Sequence, residues 1–490
     1  MKPRTFNRLQ APLPLLASFF LASQLSAAEK PNFILLLSDD QSWNGLSVAM
    51  HPDIAWSKSN VFDTPNLERF AAQGMRFSAA YSPSGVCSPT RISLQTGISP
   101  GQLRFTKAAP VATASDGLKL IPPVSRKQID EDETTIAELL KTAGYATAHY
   151  GKWHLANGGP EAHGYDESDG NTGNNDAYRH SGDNPADVYG MGRRASAFME
   201  KCDAAGLPFF VQMSYYPLHA PENASPEAVE HFQNRNSRAG SRAPIAWDLD
   251  QGVGFLLEEI ERLGLAESTY IIYMGDNGGG GGGDKGSRRR GGAASAGLKG
   301  GKGSSWEGGI RVPFILRGPG VPENSWCHER IVGFDLLPTF CQMAGVTRRL
   351  PDEVEGGDIS HLFTGESGPV KRPREELVFH FPHYQNGGPH TAIFLGDYKL
   401  IRFFEDDSTK LFDISKDLSE NNDLSSREPE KAKQLNDRLT AYLEDIDAAL
   451  PRPNPDHVPG SVYVEKKGGK GGGKGGEKGK GRKGERRNSS

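Results

Sequence analysis

The sequence predicts an α/β fold: a large mixed, mostly parallel sheet flanked by helices, followed by a small antiparallel sheet with one helix. Three observations carry this. Short, uninterrupted apolar runs alternate with amphipathic helical segments through the body of the chain. From about residue 375 the pattern changes to short strands separated by turns. A chain of 490 residues, 36% hydrophobic and 24% charged, can fill one large α/β core and a smaller one.

The chain opens on basic Lys2, Arg4 and Arg8, an apolar stretch over residues 11–25 interrupted by Pro12 and Pro14, and Ser26-Ala27-Ala28 before Glu29. That order is the pattern of a cleaved signal peptide over residues 1–28, which predicts an exported protein, periplasmic or secreted. The stretch falls short of the about 20 residues a membrane helix needs, which leaves an uncleaved anchor as the lesser of two readings. No other apolar run approaches that length, so no stable membrane insertion is expected. Pro31-Asn32-Phe33-Ile34-Leu35-Leu36-Leu37 then reads as a strand buried on both faces, ending at Ser38-Asp39-Asp40. A helix follows from Thr64 as N-cap, with Pro65 first, Leu67, Phe70 and Ala71 on its apolar face, and Gly74 past its end. Another starts at Thr135, where Glu138 completes a capping box, and stops at Gly144. Residues 145–150 read as a strand leading into Gly151-Lys152-Trp153-His154, and residues 208–215 as one leading into Pro217-Leu218-His219-Ala220-Pro221. Val253, Leu256, Leu257 and Ile260 mark a helix over residues 249–263. Residues 269–274 form a fourth strand, leading into Gly275-Asp276-Asn277-Gly278. In each of these cases polar residues follow directly on an apolar strand. Ligands of open α/β sheets bind outside the carboxyl ends of the strands, so four distant segments are expected to converge on one site.

Residues 278–301 form a Gly-dense loop carrying Arg288-Arg289-Arg290, long enough to be functional or mobile. Residues 377–381, 391–395, 398–404 and 410–414 read as strands, and 429–450 as a helix. The expected divisions are 1–28 for the signal peptide, 29–374 for the main domain, 375–455 for the smaller one and 456–490 for a Gly/Lys-rich basic tail. From Lys466 onward the tail holds seven Lys, three Arg and two Glu, with almost no apolar residue, and is expected to be disordered. The net charge of −5 thus hides a tail of +8 on a body near −13. Two readings of the tail stay open, a binder of anionic polysaccharide and a solvated linker. No nucleic-acid function is expected. Four cysteines, Cys87, Cys202, Cys327 and Cys341, are too few for a disulfide scaffold. For Cys327 and Cys341 a bridge and buried free thiols both stay open.

Asp39-Asp40 alone carries little, because adjacent acids at a strand end are more often a solvated turn. Adding Asp276 and Asn277 gives a set of oxygen donors that suits Ca²⁺ or Mg²⁺ and offers no soft ligand for zinc. Cys87 sits in Ser84-Gly85-Val86-Cys87-Ser88-Pro89-Thr90-Arg91. Pro89, the residues to Gln95, and Gly97 read as a short helix starting near Ser88. Cys87 then lies at its N-terminus, where free N–H groups and the dipole favour an anion. Arg91, about one turn in, can hold an oxyanion or the nucleophile. The bland alternative is a buried structural cysteine beside a surface arginine.

Cys87-Ser88-Pro89-Thr90-Arg91 resembles the Cys-x-Pro-x-Arg motif of the type I, formylglycine-dependent sulfatases of the alkaline-phosphatase-like superfamily. Other motifs similar to that family's occur in the family's order: Asp39-Asp40, Gly151-Lys152-Trp153-His154, His219 between prolines, Asp276-Asn277-Gly278, Gly300-Gly301-Lys302-Gly303 leading into Glu307-Gly308-Gly309-Ile310-Arg311-Val312-Pro313, and Gly396-Asp397-Tyr398-Lys399-Leu400. The resemblance spans about residues 31–422. Gly275 stands where the family commonly has Ser or Thr, and the Gly-dense loop looks expanded. Lys299 and Lys302 compete for one role, and Lys302 is chosen for its Gly-Gly-Lys-Gly setting. A further polar substrate ligand is expected within residues 164–175 without a nameable candidate.

The resemblance implies hydrolysis of a sulfate ester, of a sulfated small molecule or carbohydrate, by Cys87 matured to formylglycine (3-oxoalanine). It implies one Ca²⁺ held by Asp39, Asp40, Asp276 and Asn277 with residue 87. Arg91 is expected to hold the nucleophile, and Lys152, Lys302 and His219 to surround the leaving group. His219 is the candidate acid, with Lys302 as competitor, and His154 the candidate base. A formylglycine-generating or radical maturase is the implied partner. His380, His383, Tyr384 and His390 either read the leaving alcohol or, as the stronger reading, are satisfied surface residues. The rival functions are a phosphonate monoester or phosphodiester hydrolase of the same superfamily and a non-catalytic polysaccharide-binding relative.

Overall fold

The computed structural model describes residues 30–108, 117–233, 242–279 and 297–461. The signal peptide, the basic tail from Lys466 and most of the Gly-dense loop lie outside the described residues. The larger body comprises, in chain order, β1 (Asn32–Ser38), α1 (Pro65–Ala72), β2 (Met75–Phe77), β3 (Ala80–Tyr81), α2 (Cys87–Thr96), β4 (Leu120–Ile121), α3 (Ile136–Thr142), β5 (Ala146–Gly151), β6 (Glu167–Ser168), α4 (Val188–Ala205), β7 (Phe209–Ser214), α5 (Pro226–Gln233), α6 (Arg242–Arg262), β8 (Thr269–Gly275), α7 (Glu307–Ile310), β9 (Phe314–Arg317), β10 (Ser325–Cys327), β11 (Ile331–Val332), α8 (Leu336–Ala344) and α9 (Ser360–Phe363). Eight of these strands form one sheet in the order β10-β2-β9-β8-β1-β7-β5-β6. Only β9 runs against its neighbours.

Alternation along β1 explains the layering. Phe33, Leu35 and Leu37 face one core with Ile92 of α2, Ile136 and Leu139 of α3, and Leu336 and Phe340 of α8. Ile34 and Leu36 face the other, with Leu67 and Phe70 of α1, Met191 and Phe198 of α4, and Val253 and Leu256 of α6. A strand buried on both faces has no polar side to show, hence its continuous apolar run.

β12 (Leu377–Phe381), β13 (His390–Leu395), β14 (Tyr398–Phe403) and β15 (Thr409–Asp413) form the antiparallel sheet, followed by α10 (Pro429–Asp445). Phe379, Phe394 and Phe412 press one face onto Tyr81, Ile310 and Phe334 of the larger body. Val378, Ile393 and Leu400 press the other onto Leu435, Leu439 and Tyr442 of α10. A last strand, β16 (Arg452–Pro453), pairs with β4. Beyond it, Val458 N–H still donates to Gly117 O at 3.0 Å. The expected boundary between residues 455 and 456 therefore falls inside a segment held by backbone pairing, which composition does not register.

Other differences have local causes. α6 begins at Arg242, ahead of the expected start, because Ala243, Ile245 and Ala246 bury against Phe62, Leu218 and Phe232. α10 ends at Asp445, short of the expected 450. Asp447 takes a left-handed φ of 47° and Ala448 N–H turns back to Leu443 O at 2.9 Å. The Thr64 hydroxyl pairs with Ser47 at 2.8 Å instead of capping α1. α4 escapes the sequence reading, since Gly190 and Gly192 mask its apolar stripe of Val188, Met191, Ala195, Phe198 and Met199. All four cysteines are buried free thiols, so Cys327 and Cys341 form no bridge.

Candidate active site

β8, β1, β7 and β5 are consecutive parallel neighbours. Their four polar extensions therefore leave the sheet side by side. Backbone bonds carry the register past the strand ends: Asp276 N–H to Ser38 O (2.9 Å), Asp39 N–H to Pro217 O (2.8 Å) and Lys152 N–H to Ser214 O (2.8 Å). α2 starts at Cys87, with Val86 extended as its N-cap, and delivers residue 87 into this corner. Lys302 arrives on a loop tied by its own N–H to Gly279 O (3.0 Å) and by Gly303 N–H to Gly85 O (2.7 Å). Gly85 permits that approach, because a Cβ there would lie 2.4 Å from Ser304 O.

Ligand atoms of Asp39, Cys87 and Asp276 lie within 4.8 Å of one another. Asp39, Asp276, Asn277 and Lys152 are fully buried, and Cys87 and Arg91 nearly so. Arg91 donates to Asp276 Oδ2 from Nε (3.1 Å) and Nη2 (2.7 Å), and from Nη1 to Lys152 O (2.5 Å). The Lys152 ammonium pairs with Asp39 Oδ2, and the Lys302 ammonium with Asp40 Oδ1 at 2.6 Å. Asn277 Nδ2 also donates to Asp40 Oδ1 at 2.8 Å. Two buried oxygens, Asp39 Oδ1 and Asn277 Oδ1, have no hydrogen-bond partner. Unpartnered buried oxygens are costly, and a hard divalent cation is the species that would satisfy such a set.

The charges set the protonation states. Burial pushes Asp39 up, but the cations of Lys152 and Arg91 outweigh it and hold the carboxyl well below its usual range. Burial, with the charge of Asp39 next to it, pushes Asp276 up to about 7 against the pull of Arg91. Burial raises the Cys87 thiol despite Lys152 and Lys302. Burial and the cations of Lys152 and Arg91 press His154 well below its ordinary value, leaving a neutral imidazole. His219 is also lowered, chiefly by burial, with Asp39 opposing and Lys152 and Lys302 reinforcing. His154, His219 and Lys302 are the partly exposed members, so the site opens to solvent on their side.

All the residues singled out in the sequence as Asp39, Asp40, Cys87, Arg91, Lys152, His154, His219, Asp276, Asn277 and Lys302 thus border this corner or interact electrostatically within it. Lys299 does not: its ammonium donates to Glu420 O at 3.1 Å and lies over Trp306. The surface reading of the C-terminal histidines is corrected. His380, His383, Tyr384 and His390 are all buried. His380 bonds Ala449 O, His383 bonds Thr106 Oγ1 (2.8 Å), Tyr384 donates to Glu405 Oε1 (2.7 Å), and His390 Nε2 accepts from Ser305 N–H (2.8 Å). Aromatic residues that look exposed in a turn-rich sequence are here the seam between the sheets. Sequence reasoning missed Thr172 and Asp169, which bond the backbone of the Lys152 segment. Both lie in the stretch expected to hold a further polar ligand, but no motif distinguishes a supporting Thr from a loop Thr.

The sequence model of the Sulfatase family matches residues 31–346, and that of the N-sulphoglucosamine sulphohydrolase C-terminal region matches 302–449. The chain is 28% identical to a sulfatase of Formosa agariphila over 88% of this chain and 91% of that one. It is 28% identical to human arylsulfatase A, over 90% and 92% of the two chains. The crystal structure of Ps i-CgsB in complex with k-i-k-neocarrahexaose superposes with a TM-score of 0.68 at 24% identity, covering 89% of this chain and 95% of that one. No helix among the described residues is long and apolar enough to cross a membrane. With the fold, the strand-end site and the matched length in agreement, the chain belongs to the sulfatase family, in the alkaline-phosphatase-like superfamily, and is a sulfuric ester hydrolase.

Proposed function

We propose that the chain releases inorganic sulfate from a sulfated carbohydrate, with Cys87 matured to formylglycine as nucleophile and Ca²⁺ held by Asp39, Asp40, Asp276 and Asn277 beside residue 87. The observation that carries this is a cysteine at a helix N-terminus, buried against two carboxylates and ringed by Arg91, Lys152 and Lys302. As a thiol, residue 87 is a poor nucleophile here, because burial keeps it protonated. The nucleophile on this reading is therefore the matured residue and not the thiol. Hydrated formylglycine supplies a hydroxyl nucleophile and a second hydroxyl for collapse to the aldehyde, and Ca²⁺ supplies positive charge against the sulfate oxygens.

The chain's own residues do the rest. Arg91 is fixed by Asp276 and Lys152 O, so its guanidinium stabilises negative charge at residue 87 without reorganising. Lys152 and Lys302 face the sulfate with two ammonium groups. His219 Nδ1 donates to Ala220 O at 3.0 Å, so Nε2 is the atom that carries the transferred proton, and His219 acts as the acid toward the departing alcohol only as the imidazolium. His154, neutral, accepts the proton that frees the product. Such proton transfers contribute about 10²–10⁴-fold each. The oligosaccharide bound by Ps i-CgsB supports a carbohydrate substrate. On this reading the chain is exported after loss of residues 1–28, residues 29–374 hold the chemistry, and 375–455 form the smaller unit.

The test uses protein whose residue 87 is shown by intact mass to be formylglycine. Sulfated mono- and oligosaccharides are compared with matched phosphate and phosphonate esters. Sulfate release from a sulfated sugar, faster than turnover of the matched phosphorus esters, is expected. Preference for the phosphonate would replace this reading with the rival one.

A further inference from the structure

The segment bearing Lys152 and His154 is not held by the strand that delivers it. β5 ends at Gly151, whose φ of 90° turns the chain out of the sheet, and His154 itself takes a left-handed φ of 59°. For a residue with a Cβ that conformation is sparsely populated, costing of order 1–3 kcal/mol, and persists only where neighbours over-determine it. The neighbour is Thr172. Its hydroxyl donates to Gly151 O at 2.5 Å and accepts from Trp153 N–H at 2.9 Å, and its carbonyl accepts from His154 N–H at 2.8 Å. Asp169 adds a bond from Gly151 N–H at 2.7 Å and is itself clamped by Arg194, which also holds Asp187 at 2.6 Å. Every backbone N–H from Gly151 to His154 therefore has a partner, and Thr172 accounts for two of them plus one carbonyl.

The two hydroxyl bonds have opposite sense, one donated and one accepted. Serine reproduces both and valine neither, although valine keeps the shape. Gly173, next in the chain, runs close enough that a Cβ there would lie 3.8 Å from the His154 ring, so Thr172 also fixes how this loop approaches the imidazole.

We infer that Thr172 is a positioning residue for the sulfatase reaction, its hydroxyl setting the placement of His154 and Lys152 rather than touching substrate. The inference rests on the roles of His154 and Lys152 given above. Misplacing a catalytic group by about 1 Å can cost about 10²-fold in rate. The test measures kcat and KM for one sulfate ester, and melting temperature, in wild type, T172V, T172S, H154A and T172V/H154A, each with formylglycine content quantified by mass. The expected result is a kcat about 10²-fold lower in T172V with KM within a few-fold, recovery in T172S to within a few-fold of wild type, and a double variant no slower than the slower single one. Wild-type kcat in T172V, a T172S as slow as T172V, or fully multiplicative losses in the double variant would each overturn it. A fully active H154A overturns instead the base assigned to His154, and is distinguishable because T172V then reports on Lys152 alone.

Discussion

Replacing Lys399 by Met tests whether the smaller sheet is joined to the catalytic body by balanced buried charge. Lys399 Nζ lies 2.9 Å from Glu307 Oε1 and 2.8 Å from Glu420 Oε1, all three side chains fully buried. Glu307 also accepts from Arg311 Nε (2.7 Å) and Tyr81 OH (2.8 Å), and its N–H donates to Glu420 Oε2 (2.9 Å). Two carboxylates thus face two cations. Met keeps the stem and removes the ammonium, leaving one carboxylate uncompensated. Breaking such a group costs about 3–5 kcal/mol. At about 2.1 cal/mol/K per residue over roughly 400 folded residues, that corresponds to a fall in Tm of about 4–6 °C.

The pH dependence gives the sign. Burial and the charge of Glu307 push Glu420 up to about 7, with Lys399 opposing. Glu307 is held down at about 2: burial raises it, but Lys399 and Arg311 prevail. A raised carboxyl means the folded state keeps a proton that the unfolded chain releases, so stability declines as pH rises from the ordinary 4.5 through 7. Without Lys399 both carboxyls move up and that window lengthens. At pH 8 the larger penalty applies. At pH 5 Glu420 is protonated, Glu307 still has Arg311, and only lost hydrogen bonds remain, about 1–2 kcal/mol. Thermal and urea unfolding of wild type and K399M at pH 5 and pH 8 read this directly. A variant within 1 °C of wild type at pH 8 (against the about 4 °C minimum above), or a deficit equal at both pH values, would refute the reasoning.

Cys87→Ala should abolish turnover while leaving Tm close to wild type, because the side chain lost is small and makes no hydrogen bond on which the fold depends; residual wild-type-like turnover in the purified variant would exclude residue 87 as nucleophile. Chelation should lower both activity and Tm, since a cation at 100 times its Kd stabilises by about 2.7 kcal/mol; a chelator that changes neither argues against the Asp39, Asp40, Asp276 and Asn277 set. Arg91→Lys keeps the charge but cannot reach both Asp276 and Lys152 O, so kcat should fall by about 10²-fold; unchanged kcat in steady-state assays would show that charge alone suffices. A chain ending before Lys466 should lose retention on sulfated polymer at low salt if the tail is a polyanion binder; equal retention leaves the tail as a linker.

Much of this was legible because the signals were local. β1 announces itself as Phe33-Ile34-Leu35-Leu36-Leu37 with no polar side, and the capping box of Thr135 and Glu138 forms as read. Cys87 at the start of α2 follows from Pro89 and Gly97, which punctuate the helix. What escaped depended on partners distant in sequence. α4 is masked by its glycines, β16 is held by pairing with residues more than 300 positions away, and the buried state of His380, His383 and His390 depends on Ala449, Thr106 and Ser305.

The sequence by itself determined the chemistry available: a cysteine in Cys-x-Pro-x-Arg, four oxygen-bearing side chains, two lysines and two histidines, all but the loop residue Lys302 placed just beyond an apolar strand or at a helix start. That information is local, residing in residue type and short-range periodicity. Only the tertiary structure decided that β8, β1, β7 and β5 are neighbours, so that the segments meet. It decided too that Asp40 is the partner of Lys302, and that Thr172 holds His154 in its left-handed turn. Strand order and long-range hydrogen bonds are properties of the folded chain. A hydroxyl becomes a support only when packing sets a carbonyl and an N–H on either side of it.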